Sequence, residues 1–254
     1  EEAGSPGAWG TNINLPLLPG TGDEGLHRLY DGLISHILED FKPELIINSA
    51  GQDNHFSDPL ASMAVTAQGY ARLADKLQAD IAVLEGGYSV ESALPYVNTG
   101  IILAMAGMDY SKVLEPDLSE LRKQDPRCNK RVDQLIEQVG DLYFNRERTK
   151  KELLQKCNGV WQRKKHIYYD EEGIREQQVE TVRYCSICAG YFAIQTAAED
   201  TRFGDQSAFI VCLPRGICPN CKQRAYDEAL REKKTGRWQY VFIQHIVDGF
   251  IETI

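Results

Sequence analysis

No apolar run in this sequence approaches the roughly 18 residues that a membrane-spanning helix requires. The longest, Ile101 to Ala106, falls far short, so no membrane role is expected. No secretory leader is visible, no segment repeats and none is of low complexity. The first half lacks cysteine altogether and is poor in positive charge. Residues 1–125 hold 7 Lys and Arg against 19 Asp and Glu, a net charge of −12. Such acidity makes that half a poor partner for nucleic acid. The remaining residues carry 21 against 18, a net charge of +3, together with all seven cysteines. Without a leader, those thiols are expected to be reduced and open to metal, which predicts a cytoplasmic protein. The charge break predicts a boundary near Asp125-Pro126, with one domain over 1–125 and a second over 126–254.

What is present supports folded domains, since 43% of the residues are hydrophobic. The opening stretch, Glu1-Glu-Ala-Gly-Ser-Pro-Gly7, reads as the middle of a loop, so a preceding segment of a longer protein is expected. Thr11 to Leu17 alternates polar and apolar residues and predicts a strand. Thr21 with Glu24 fits a capping box, and Leu26, Leu29, Tyr30, Leu33, Ile34, Ile37, Leu38 and Phe41 form a stripe of helical period that ends before Pro43. A short buried strand is expected over Leu45-Ile46-Ile47, a helix over Thr66–Gln78, a strand over Ile81–Leu84 and a helix over Ser89–Gly107, with Pro95 at its start or at a kink. Strands alternating with helices predict a parallel α/β layer. Asp117–Asp125 reads as a linker or short helix, and Val132–Gln155 as one long charged helix. A hairpin tip is expected around Gly173 and a helix over Tyr226–Lys234, while the apolar tail Trp238–Ile254 fits helix or strand.

Chemistry in α/β proteins gathers where buried strands end. One such end carries Asp53, His55 and Asp58; the next carries Glu85-Gly86-Gly87-Tyr88. Read alone, Asp53 after Gly51-Gln52 most simply turns the chain, and Asp58-Pro59 does the same. The sharper reading makes Asp53 an oxygen ligand for a divalent ion. His55 can be a ligand, a group behind one, or neither. Tyr88 can donate a hydrogen bond to an oxyanion or be a half-buried aromatic.

In combination the residues say more. The ordered set Asn14-Leu-Pro-Leu17, Pro19-Gly-Thr-Gly-Asp-Glu-Gly25, Pro43-Glu-Leu-Ile-Ile47, Ser49-Ala-Gly51, Asp53, His55, Asp58-Pro-Leu60, Gly69-Tyr70 and Leu84-Glu-Gly-Gly-Tyr88 resembles the C-terminal half of the histone deacetylase superfamily over about residues 1–110. The Pro-Gly-Thr-Gly-Asp-Glu turn is most similar to the class II and bacterial branch, with its acetoin-utilisation proteins and acetylpolyamine amidohydrolases. The resemblance implies an arginase-like α/β fold with a mainly parallel sheet. It also implies a hydrolase, a zinc-dependent deacetylase acting on acylated lysine or polyamine. One catalytic zinc would be held by two Asp and one His. By position, Asp53 matches the second aspartate ligand and Tyr88 the tyrosine that hydrogen-bonds the substrate carbonyl. Gly86 and Gly87 match the glycines of the acyl-lysine tunnel, and Leu60 its mouth.

Two departures qualify this. Gln52 and Asn54 flank the aspartate where many relatives are apolar or small, which changes the expected tunnel lining. The histidine pair and the Asp-x-His ligands have no counterpart before Asp53, and His27 and His36 read as surface residues of a helix. The site is therefore expected to need a missing N-terminal segment or a complementing chain.

In the second half, Cys185-Ser-Ile-Cys188 and Cys218-Pro-Asn-Cys221 stand 29 residues apart. Four thiolates so spaced suit one tetrahedral structural zinc in a small α+β domain resembling a zinc ribbon. A redox pair or unbound thiols are the other readings, and Cys212 reads as core. Arg183, Arg215, Lys222, Arg224 and Arg231, interleaved with Tyr184 and Tyr191, weakly permit nucleic acid or an acidic partner. The sequence thus predicts the C-terminal part of a zinc amidohydrolase with a ribbon extension. The competing expectation is an inactive deacetylase-like scaffold whose ribbon binds a protein or nucleic acid.

Overall fold

The computed structural model describes residues 3–116, 118, 123–202 and 204–254; most of the expected linker, residues 117 and 119–122, lies outside the described residues. The chain forms two compact units. One is Ile13–Asn145; the other is Arg146–Ile254 together with the N-terminal segment up to Asn12. The charge break at Asp125-Pro126 therefore lies inside the first unit, where Asp125 caps a helix by accepting a hydrogen bond from the Arg127 amide at 2.8 Å.

The first unit opens with loop, not with the strand expected over 11–17. Leu15 and Leu17 spend their alternation on packing against a helical core, and no strand pairs with them among the described residues. A single helical run follows as α1 (Asp23–Leu29), a π turn (Tyr30–Ile34) and α2 (Ser35–Phe41). A Cβ on Gly32, within the π turn, would stand 2.6 Å from Ile136 Cδ1, so the glycine lets another helix approach. The expected capping box is absent: α1 begins at Gly22 without a side-chain cap, and the Thr21 hydroxyl instead donates to Leu18 O at 2.7 Å.

Next come β1 (Ile47–Ala50), α3 (Ala67–Leu77), β2 (Ile81–Leu84) and α4 (Leu94–Met105), the latter with proline in its first turn. β1 and β2 pair in parallel, Ile47 opposite Ile81 through Ala50 opposite Leu84. The strands are not the buried ones expected. Ala50 is buried against Val97 and Ile101, but Ile47 is 56% exposed and Leu84 71%, because only one face of the pair is covered by α3 and α4. The unit closes with α5 (Pro126–Phe144), whose Val132 and Leu135 pack on Leu29 and Leu33. The long helix expected over 132–155 breaks at Asn145. Its side-chain amide donates to Asp141 O at 3.0 Å and competes with the backbone ladder.

The second unit contains α6 (Arg146–Lys156) and then a six-stranded sheet in sequence order: β3 (Val160–Tyr169), β4 (Ile174–Arg183), β5 (Tyr191–Glu199), β6 (Gln206–Leu213), β7 (Tyr240–His245) and β8 (Phe250–Thr253). β3 to β6 form an antiparallel meander whose first hairpin turns near Gly173, as expected. The helix α7 (Pro219–Thr235) then crosses over so that β7 runs parallel to β6. The ambiguous tail resolves into strands. α7 buries Ala225 and Ala229 against Tyr191, Ala193, Phe209, Val211, Val241 and Ile243, which is the core of this unit. No helix among the described residues is long and apolar enough to cross a membrane.

Candidate active-site loops and a four-cysteine centre

The loop after β1 and the loop after β2 lie side by side because their strands are paired. The Gln52 amide donates to Gly86 O at 2.7 Å and joins the two loops at their roots. A Cβ built on Gly86 would stand 2.8 Å from Asp53 Oδ2 and 3.6 Å from the Tyr88 hydroxyl. Asp53, Gly86 and Tyr88 are therefore brought together, with glycine leaving the space between carboxylate and phenol open. Gly87 holds φ at 134° and would place a Cβ 2.9 Å from Gln52 Cβ, so its backbone and its neighbour both require glycine. Tyr88 is 52% exposed and Leu60 72%, at the open side of the same loops.

Asp58 does more than turn the chain. Its buried carboxylate accepts from the Leu60 amide at 2.9 Å and the Tyr88 amide at 2.7 Å, clamping one loop to the other. Burial pushes that carboxyl up, and the backbone donors led by Tyr88 outweigh it, so the net shift is downward. Gln52 turns inward: it is 1% exposed and its amide donates to Asn98 on α4, so its polarity is directed away from the open side. Asn54 is exposed.

His55 is fully buried. Its Nε2 lies 3.2 Å from Glu115 Oε1 and its Nδ1 2.9 Å from Ser57 Oγ, so both ring nitrogens are engaged within the protein. Glu115 also accepts from the Ala67 amide at the start of α3, at 3.1 Å. Burial raises the Glu115 carboxyl, but bonds from His55 and backbone donors bring it below the usual range, so it stays ionised. Sequence reading overlooked Glu115, Ser57 and Ser89. The only signal was a lone carboxylate before Pro116, far from the loops along the chain. His27 also departs from expectation. It is 7% exposed rather than on the surface, and burial lowers its pKa.

Among the described residues, the only group of three or more His, Cys, Asp or Glu close enough to share an ion is Cys185, Cys188, Cys218 and Cys221. Among the described residues Asp53 thus belongs to no group of three such ligands, and a catalytic zinc does not fit the residues present. The four-cysteine group does fit one. Its sulfurs lie within 4.8 Å of one another, compatible with a tetrahedron of Zn–S bonds near 2.3 Å. The first pair sits on the turn from β4 to β5 and the second opens α7. The Ile187 and Gly190 amides donate to Cys185 and Cys188 sulfur at 3.4 and 3.3 Å. Gly190 holds φ at 80°, and a Cβ there would fall 1.8 Å from Arg183 O.

Behind this corner, Glu228 of α7 accepts from the Arg183 guanidinium and, at 2.8 Å, from the Tyr191 hydroxyl. Arg183 and Tyr191, offered in sequence as contacts for an outside partner, are thus committed internally. Tyr184 likewise accepts from the Gly7 amide at 3.0 Å. Arg215, Lys222, Arg224 and Arg231 remain exposed.

Residues 1–104 match the histone deacetylase domain family. A probable deacetylase of Archaeoglobus fulgidus is 51% identical over 138 residues, 49% of this chain and 38% of the relative. The acetoin utilization protein AcuC of Bacillus subtilis is 32% identical over 136 residues, 50% of this chain and 35% of the relative. A solved HDA15 HD domain aligns with a TM-score of 0.47 at 24% identity, covering 61% of this chain and 41% of that one. The chain therefore spans well under half the length of these relatives. These sequence matches support membership of the histone deacetylase superfamily for residues 1–104 of this chain.

Proposed function

We propose that the chain supplies one wall of a zinc-dependent amidohydrolase site that removes acetyl or similar acyl groups from the amine of lysine or a polyamine. The observation that carries this is the convergence of the Asp53 carboxylate and the Tyr88 hydroxyl over Gly86. Asp53 serves as one metal ligand, and the remaining ligands and proton-transfer histidines come from a preceding segment or a complementing chain. A zinc held by Asp53 and those further groups would supply polarisation of the amide carbonyl and activation of water. Tyr88 donates its hydroxyl hydrogen to the carbonyl oxygen and keeps that bond as negative charge grows there. Gly86 and Gly87 leave room for an extended acyl-amine chain, and Leu60 lines its entrance.

The test uses the complete product of the gene, including any coding sequence upstream of Glu1. Asp53→Ala is expected to abolish both catalytic zinc and deacetylation of acetyl-lysine peptides and acetylpolyamines. Tyr88→Phe is expected to retain zinc and lower kcat by roughly a hundredfold or more. Unchanged deacetylation in Asp53→Ala would sink this reading.

In the second unit, Cys185, Cys188, Cys218 and Cys221 hold one structural zinc. Reduced thiols and the lack of a membrane-crossing helix among the described residues support a cytoplasmic setting. One observation favours a second reading, an inactive deacetylase-like scaffold: among the described residues Asp53 belongs to no group of three metal-ligating side chains. Its ribbon would then contact a protein or nucleic-acid partner, with Ile187, 80% exposed at the knuckle tip, as the contact. Turnover by the complete gene product that is lost in Asp53→Ala would reject the scaffold.

A further inference from the structure

A chain of polar side chains runs behind the two candidate site loops, buried at His55 and Glu115 and half-buried at Ser57 and Ser89. It begins at the first turn of α3, where the Ala67 amide donates to Glu115 Oε1 at 3.1 Å. The same oxygen lies 3.2 Å from His55 Nε2. His55 Nδ1 lies 2.9 Å from Ser57 Oγ, and Ser57 Oγ lies 2.8 Å from Ser89 Oγ. His55 and Ser57 follow Asp53 in the first loop, whereas Ser89 follows Tyr88 in the second.

The direction of these bonds can be read. The Ser57 backbone N–H, which can only donate, points to His55 Nδ1 at 3.2 Å. Nδ1 is thus an acceptor and the ring proton sits on Nε2, aimed at the Glu115 carboxylate. With Nδ1 accepting, the Ser57 hydroxyl also donates to it, and the Ser89 hydroxyl donates to Ser57. Every side-chain donor points from the Tyr88 loop toward Glu115, whose carboxylate lies at the positive end of α3 and accepts from the Ala67 amide there. Each bond strengthens the next in such a series.

We propose that His55 is a positioning residue: with Glu115, Ser57 and Ser89 it ties the Asp53 loop and the Tyr88 loop to the start of α3 and holds the carboxylate and the phenol at their mutual distance. The functional consequence rests on the amidohydrolase reading; the physical coupling does not. Asp58 fastens the same loops through the Leu60 and Tyr88 backbone amides. His55 differs in reaching beyond the loops to a helix, so it sets where the pair of loops stands as well as how they meet.

The coupling is tested on this chain by amide hydrogen exchange. Ser57→Ala, Ser89→Ala and His55→Gln are compared, with Ser89→Thr as the conservative variant that keeps a hydroxyl. Losing one link is expected to speed exchange about fivefold in both loops, 52–60 and 86–89, whichever loop carries the substitution. Ser89→Thr should restore the original rates. Faster exchange only in the substituted loop would overturn the coupling.

In the complete gene product, Ser89→Ala should lower kcat several-fold with KM unchanged and with the melting temperature of the Ser89→Thr protein. An unchanged kcat would remove the functional part of the inference. Asp53→Ala serves as the control: if it stays active, the amidohydrolase reading fails, and the exchange result still decides the coupling by itself.

Discussion

The Asp53 carboxylate and the Tyr88 hydroxyl approach one another across the empty side of Gly86, 2.8 and 3.6 Å from where a Cβ would stand. Parallel pairing of β1 with β2 creates this relationship, since it brings the ends of both strands to the same edge. Gly86→Ala would place a methyl against Asp53 Oδ2. The expected outcome is a displaced carboxylate, with zinc affinity and kcat of the complete gene product each falling by about a hundredfold while the melting temperature changes little. Metal titration and steady-state kinetics check it.

Asp23 supports the same unit from a distance. Its carboxylate accepts from the Thr66 amide at 2.8 Å and from the Thr66 hydroxyl at 2.6 Å, while the Thr66 hydroxyl oxygen caps α3 by accepting from the Gly69 amide at 3.0 Å. Asp23→Ala leaves the Thr66 donors without their partner and is expected to cost about 2 kcal/mol in urea unfolding. Gly69→Ala should act through the same bond, because its Cβ would fall 2.0 Å from Asp23 Oδ1.

Glu228 gives the second unit an acid sensitivity of known sign. Burial raises its carboxyl, and the bonds from Arg183 and Tyr191 outweigh that, so its folded pKa lies below the unfolded value of about 4.3. A depressed carboxylate contributes stability above its unfolded pKa, and that contribution is lost as pH falls through the folded value. The stability of the wild-type unit should therefore drop below about pH 4.3, and the drop should shrink in Glu228→Gln. Glu228→Ala should cost about 3 kcal/mol at neutral pH by stranding Arg183. Denaturant curves across pH measure both.

Metal analysis of this chain should find about one zinc, lost on prolonged chelation together with the fold of the second unit. Cys221→Ser should release it, since Cys221 is the buried member of the four. Gly190→Ala should do the same while keeping every thiol, because the knuckle cannot hold its left-handed turn with a side chain at 1.8 Å from Arg183 O. Zinc retained in both variants would move the metal elsewhere.

Much of the layout was legible in the residues because its causes are local. The stripe from Leu26 to Phe41 is helix, Ile81–Leu84 is strand, and Pro95 stands in the first turn of α4. The cysteine spacing predicts a cluster that the fold assembles. Local rules failed where another partner competed, whether near along the chain or far from it. Thr21 gave up its capping box for Leu18 O, and Asn145 split a helix through Asp141. Arg183 and Tyr191, which looked outward by composition, turn in to Glu228. His27 followed its helix to the buried face, where its neighbours on the chain gave no warning.

By itself, the sequence determined most of the helices, the strand ends with Asp53 and Tyr88, the two cysteine knuckles and the family resemblance of residues 1–104. These depend on periodicity, on glycine and proline at particular places, and on motif order, all carried by neighbours along the chain. Only the tertiary structure decided that Asp53 and Tyr88 share the space over Gly86, that Asp58 clamps their loops, and that Glu115 reaches His55. Those contacts join residues 30 to 60 positions apart, and their bonds are directional, so they exist only once strand pairing and helix packing have set the backbones in place.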